Sequence, residues 1–277
     1  MTKRALTAAC VQMRSSDSVA QNIADARDLI RQAHDQGAQF ISTPEMTSLM
    51  EMRSKPLFEK AVSESDDQAL VAFRQLAADL SCWVLIGSLA VRLSDTKCAN
   101  RAFLISPQGD IQCRYDKIHM FDVEVGDGQT YKESKNYQAG TEAVVSKIGD
   151  ATLGLSICYD LRFPQLYRDL AKAGADILAV PAAFTDVTGK AHWHTLLRAR
   201  AIETGCFVIA PAQGGHHENG RDTYGHSLII NPWGEVIGEL DHQDPGVLVT
   251  ELDLAEVEAA RARIPALQHD RAFKLAD

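Results

Sequence analysis

The chain has 277 residues, 45% of them hydrophobic and 23% charged, with 9 prolines: the make-up of an ordinary globular protein with a sizeable core. Its formal charge of −9 disfavours nucleic acid and anionic membrane as partners, since both need a basic footprint. No segment resembles a membrane span, and the six cysteines form no C-x-x-C pair, so they are expected as reduced thiols of a cytoplasmic protein.

The N-terminal apolar patch is short and runs into Arg14, so residues 6–13 are expected as a first strand rather than a signal peptide. Val19, Ile23, Ala26, Ile30 and Ala33 recur at helical spacing through 18–36, forming one apolar face that Gly37 ends. Residues 38–43 follow as a strand, held extended at its end by Pro44. Leu70, Phe73, Leu76, Ala77 and Leu80 mark a second amphipathic helix, and 83–91 the next strand. Strands 102–106 and 110–115 are joined by Pro107, Gln108 and Gly109, which suit a hairpin turn. The extended run 151–157 gives way at Cys158; helix 165–174, strand 176–181, helix 192–204 and strand 206–210 follow. Strands at 227–231, 235–240 and 247–252 precede a last helix over 254–263. This alternation, without linker or repeat, predicts a single α/β layer structure. The long irregular stretches 118–141 and 212–225 are expected to be functional or mobile.

Cys158 stands where a strand turns into a helix, a position that lifts a side chain off the sheet and places it near unpaired N–H groups. A cysteine nucleophile needs a base, and none of the nine histidines is near it in sequence. Glu45 and Lys117 share its situation, each ending a strand and entering a loop. Converging strand ends are where α/β enzymes assemble their sites. A carboxylate can take the thiol proton, an ammonium can hold an oxyanion, and a thiolate can attack an acyl carbon.

The words Thr-Pro-Glu45-Met, Tyr-Asp-Lys117-Ile-His-Met-Phe-Asp-Val-Glu124 and Ser-Ile-Cys158-Tyr-Asp-Leu-Arg-Phe-Pro resemble the three signature segments of the nitrilase superfamily of carbon–nitrogen hydrolases. The resemblance implies an α/β fold, a four-layer α-β-β-α sandwich, over residues 3–254, with 255–277 a C-terminal helix and tail. It implies a triad of Glu45, Lys117 and Cys158, no metal and no organic cofactor, and assembly as a homodimer or larger homo-oligomer. Glu124, seven residues after Lys117, matches the additional glutamate that helps place substrate and lysine in related amidases. Cys158-Tyr159-Asp160 is similar to the amidase branches, where true nitrilases tend to show Cys-Trp-Glu. Segments 184–203, which include Thr185 as a supporting residue, and 224–227 look like the Nit branch. That branch implies a small carboxylated amide as substrate, deaminated glutathione first, with 2-oxoglutaramate or an N-carbamoyl amino acid as alternatives.

In this scheme the N–H of Tyr159 joins Lys117 in holding the oxyanion. Arg162 is open to two readings, a bidentate partner for a substrate carboxylate or a salt bridge to an acid such as Asp160. His192 and His194 flank Trp193 without a Cys or carboxylate nearby to complete a metal set. Arg198, Arg200 and Glu203 read as an ion-pair network or subunit contact, and the 214–217 loop as a segment near the pocket mouth. A redox thiol is disfavoured by the missing resolving cysteine, and a non-enzymatic module by the presence of all three triad residues.

Overall fold

The first strand, β1 (Ala5–Gln12), is apolar on both faces from Ala8 to Val11, with Ala8 and Cys10 in one buried cluster and Ala9 and Val11 in another. Successive side chains leave a strand on opposite sides, so such a strand must be covered twice. α1 (Val19–Asp35) covers one face through Ala26, Ile30 and Ala33; Ser18 caps it by accepting from the Gln21 N–H. After β2 (Phe40–Ser42) come the short α2 (Ser54–Lys60) and then α3 (Gln68–Leu80), whose Leu70, Phe73 and Leu76 join the same layer. β3 (Trp83–Arg92), β4 (Cys98–Ile105) and β5 (Ile111–Asp116) extend the sheet.

A small hairpin, β6 (Asp122–Glu124) and β7 (Thr130–Lys132), interrupts the first long irregular stretch. The second sheet starts with β8 (Val145–Ile148) and β9 (Ala151–Leu155), followed by α4 (Pro164–Lys172), β10 (Ile177–Ala179), α5 (Asp186–Thr204) and β11 (Phe207–Ala210). A second hairpin, β12 (Gly214–His216) and β13 (Asp222–Tyr224), precedes β14 (Leu228–Ile230), β15 (Val236–Glu239), β16 (Gly246–Asp253) and α6 (Ala255–Arg263).

This computed structural model, which describes residues 4–126 and 128–276, has two six-stranded sheets, ordered β16-β1-β2-β3-β4-β5 and β15-β14-β11-β10-β9-β8. β1, β2 and β3 are parallel, as are β9, β10 and β11. β16 returns antiparallel to β1, from Ala5 opposite Asp253 to Gln12 opposite Gly246, and so closes the first sheet with the end of the chain. The sheets stack through one cluster in which Phe40, Leu104 and Tyr115 of the first join Leu153, Ala179 and Ala210 of the second. α4 and α5 cover the far side of the second sheet, which completes the four-layer α-β-β-α sandwich.

Two expectations need correction. α5 begins at Asp186, not 192, because Thr185 caps it and because Gly189, a poor helix former, is there for packing: a Cβ would stand 2.3 Å from the Tyr224 Cβ. The fold also brings a carboxylate to His194 after all, since the ligand atoms of His194, His226 and Glu239 lie within 4.8 Å of one another. As it stands, Glu239 Oε1 hydrogen-bonds both rings, at 2.8 and 2.9 Å, so the three groups satisfy one another.

Gly87 in β3 fixes the neighbouring Thr43–Pro44 turn at close range. Its N–H donates to Thr43 Oγ1 at 3.0 Å, and a Cβ would sit 2.1 Å from the Thr43 carbonyl oxygen. Gly87→Ala should lower the urea midpoint by the equivalent of about 1–3 kcal/mol, the usual cost of overpacking. An unchanged midpoint in a denaturation curve would show that the turn yields freely.

Candidate active site

Three chain segments deliver the site. β5 runs in the same direction as β2, being antiparallel to β4, which is antiparallel to β3. The residues just past their carboxyl ends, Glu45 and Lys117, therefore share one edge of the first sheet. The second sheet supplies Cys158, just beyond β9.

Glu45 is fixed on every side. Oε1 accepts from Lys117 Nζ and Asn100 Nδ2, both at 2.9 Å, and Oε2 accepts from the Ala183 N–H at 2.9 Å. Its backbone carbonyl accepts from Gln213 Nε2 at 3.0 Å, and the Cys158 thiol lines the same cavity as the carboxylate. The next residue, Met46, takes a left-handed φ of 57° and anchors its N–H on Ser88 Oγ at 2.9 Å. Such strain persists only where the surroundings over-determine it.

Lys117 is 2% exposed, and its ammonium also meets both oxygens of Glu133 at 3.0 and 2.8 Å. Burial pushes the Glu45 carboxyl up, but the charge and hydrogen bond of Lys117, with the more distant field of Arg221, outweigh it and hold Glu45 below the usual carboxylate range. Burial alone would lower Lys117; Glu133 and then Glu45 reverse this and keep it charged far into alkali. The Cys158 thiol is pushed well up, first by burial and then by the negative Glu45, so it rests protonated against an ionised carboxylate. That is the protonation state a general base and its nucleophile need.

Cys158 itself has a left-handed φ of 51° and opens a short 3-10 turn, Cys158–Arg162. Its own N–H is spent on the Pro181 carbonyl at 2.9 Å. Tyr159 is the second residue of the turn, where N–H groups have no acceptor within the turn. The fully buried Asp160 locks this geometry: Oδ2 accepts from Ile157 N–H at 2.9 Å and Tyr115 O–H at 2.7 Å, and Oδ1 from His119 N–H at 3.0 Å. Tyr115 and His119 are each two residues from Lys117, so one carboxylate ties the lysine arm to the cysteine turn.

The triad opens into a cavity of about 650 Å³ whose walls include Glu133, Tyr131, Asn219 and Arg221. The remaining expected residues fall elsewhere. Glu124 is exposed on β6 and lines a neighbouring groove with Tyr159, Arg162 and His192; the carboxylate on Lys117 is Glu133. β6 pairs with β7 as a hairpin, and the acid in contact with Lys117 follows β7 rather than ending β6. Arg162 does not pair with Asp160, whose oxygens are taken; it lies 3.3 Å from His192 Nδ1 and near the rings of Tyr159 and Phe184. Thr185 caps α5 and bonds Thr188 Oγ1 at 2.8 Å, outside the walls of the triad's cavity. No signal in the sequence marks Asn100, Glu133, Gln213 or Arg221: Asn100 and Gln213 are polar residues beside apolar ones, and Glu133 and Arg221 lie within polar runs that read as solvated loops.

A thiol, a carboxylate and an ammonium so arranged form an acyl-transfer site of the cysteine hydrolase class. The carbon–nitrogen hydrolase family profile matches residues 7–262, and the chain belongs to that family, the nitrilase superfamily. It is 40% identical to a deaminated glutathione amidase of Synechocystis sp. over 95% of this chain and 97% of the relative. The NitFhit protein of C. elegans superposes with a TM-score of 0.90 at 34% identity, over 98% of this chain and 66% of that longer one. An amidase from Nesterenkonia sp. AN1, with the acetamide moiety of fluoroacetamide covalently added at its active-site cysteine, gives a TM-score of 0.82 at 26% identity, covering 96% and 94%.

Two outcomes follow from this geometry. Glu45 is lowered from its ordinary 4.5 and Lys117 raised from 10.5, so the base stays ionised as pH falls and the cation stays charged as pH rises. The pH–rate profile of kcat/KM for an uncharged amide should be flat from about pH 5.5 to 9.5; a limb with an apparent pKa near 7 would point to a histidine base instead. Asp160→Ala strands the Ile157 and His119 N–H groups and the Tyr115 hydroxyl, and should lower the urea midpoint by at least the equivalent of about 2 kcal/mol. A midpoint equal to wild type would remove Asp160 from this role.

Proposed function

We propose that the chain hydrolyses the internal amide of deaminated glutathione through a thioester on Cys158, releasing 2-oxoglutarate and cysteinylglycine. The observation that carries the chemistry is the arrangement in one cavity of the Cys158 thiol and a Glu45 carboxylate bonded at 2.9 Å to the buried Lys117 ammonium, which keeps it ionised. Glu45 takes the thiol proton as sulfur attacks the amide carbon. Lys117 and the Tyr159 N–H hold the oxyanion, and each such donor is worth about 10²–10³ in rate. Glu45 hands its proton to the departing amine, the C–N bond breaks, and a water activated by the same carboxylate cleaves the thioester. Glu133 takes no proton; it positions the Lys117 ammonium.

The substrate assignment is supported by the deaminated glutathione amidases among the relatives, 34–40% identical over nearly the whole chain, and by a cavity of about 650 Å³ that accommodates a peptide leaving group. All six cysteines are free thiols, which suits a cytoplasmic setting, and among the described residues no helix is long and apolar enough to cross a membrane. Exposed Ile202, Trp233 and Ile264 gather at a second cavity between α4, α5 and α6, and they favour assembly as a homodimer or larger homo-oligomer.

Deaminated glutathione, 2-oxoglutaramate and an N-carbamoyl amino acid, assayed in parallel for cysteinylglycine and ammonia, test the assignment. Deaminated glutathione should lead in kcat/KM by at least about tenfold, and Cys158→Ala should abolish turnover. A lead for 2-oxoglutaramate would make the protein an ω-amidase, and full activity without the thiol would end the thioester mechanism.

A further inference from the structure

The cationic groups lining the cavity comprise Lys132 and Lys135, which are exposed to solvent, and Lys117, Arg53 and Arg221. Lys117 is shared by Glu45 and Glu133, and Arg53 is held by Glu51 at 2.7 Å. Arg221 is 5% exposed, lines the same cavity, and has no carboxylate within ion-pairing distance among the described residues. One terminal nitrogen donates to the Ala183 carbonyl, the other meets only the Met52 thioether at 3.7 Å, and Nε has no partner. The guanidinium lies 5.5 Å from the Tyr131 ring centroid. A buried cation without a paired anion is costly to desolvate, and a protein keeps one where an anion arrives from outside.

The backbone holds this charge in place before any ligand binds. Arg221 sits between β12 and β13, and its carbonyl accepts from the His217 N–H at 2.9 Å. His217 is buried, and burial brings its imidazole down to about 4, so it remains neutral. Its ring bridges the Ser15 carbonyl at 2.8 Å and Thr223 Oγ1 at 2.7 Å, pinning the hairpin to the loop that follows β1. The 212–225 segment thus presents Arg221 from a tethered hairpin.

We propose that Arg221 is a specificity-determining residue that binds a carboxylate of the substrate inside the catalytic cavity. This rests on the amidase reading above. The carboxylate can come from the acyl part or from the peptide leaving group, and the two hydrolysis products separate these sources. Arg162, in the adjoining groove with Glu124 and His192, is the comparison residue.

Calorimetric titration of 2-oxoglutarate and of cysteinylglycine into wild type, Arg221→Gln, Arg221→Lys and Arg162→Gln tests the assignment without turnover. One probe should bind Arg221→Gln about 30-fold more weakly than wild type, with part of the loss restored in Arg221→Lys, because a charged hydrogen bond is lost and then replaced by a point charge. The probe that suffers identifies the carboxylate. The proposal is overturned if wild type binds neither probe, if both bind Arg221→Gln within about threefold of wild type, or if only Arg162→Gln weakens them. A residue that merely shapes Glu45 would depress kcat on charged and uncharged amides alike, so Arg221→Gln must also lose its preference for a carboxylated amide over its carboxamide analogue. Failure of wild type to turn over deaminated glutathione would strike the amidase reading; loss of the binding difference with turnover intact would strike this inference alone.

Discussion

Everything at this site depends on one buried ammonium. Lys117 sits at the meeting of the two sheets with carboxylates on both sides, and neither it nor they can be ionised there alone. Together they form a set that is stable because it is complete: the lysine keeps Glu45 a carboxylate, Glu133 keeps the lysine charged, and burial together with the negative Glu45 keeps the nearby thiol protonated. In the mechanism proposed above, the thiolate forms as the substrate carbonyl is attacked. A cysteine–histidine pair solves the same problem by storing the thiolate at rest; here the storage is on the carboxylate.

A set of charges this compact has to be assembled from parts far apart in the chain, and the fold spends buried polar groups on holding them. Asn100 spans Glu45 and Glu133 at 2.9 and 3.0 Å, and Gln213 holds the Glu45 backbone. Asp160 ties the residues flanking Lys117 to the turn that carries Cys158. These interactions would add little as surface contacts. In a water-poor interior they are what makes the geometry single-valued, since each leaves a partner unsatisfied if it breaks. The left-handed backbone at Met46 and Cys158 is the strain this network sustains.

Most of the layer order was legible in sequence because it follows from local periodicity. The helical stripe from Ile23 to Ala33 and the apolar runs around Ile41, Leu85 and Leu178 each declare their own element. The boundaries that failed were set by distant partners: α5 starts six residues early because Thr185 caps it and Tyr224 demands a glycine at 189. The β6–β7 and β12–β13 hairpins were hidden because their strands are three residues long and largely polar, too short to show a periodicity.

Chain order and motif wording by themselves marked Glu45, Lys117 and Cys158 as the candidate triad, because those residues sit in short stretches where strand end, turn and reactive group are contiguous. Tertiary structure alone decided what surrounds them. It seated Glu133 rather than Glu124 on the lysine, put Thr185 to work as a helix cap, consumed Asp160 internally and left Arg221 buried with no carboxylate within ion-pairing distance among the described residues. Burial and pairing are properties of space, not of spacing: a carboxylate's partner is whichever charge the fold brings within about 3 Å, and no count along the chain contains that distance.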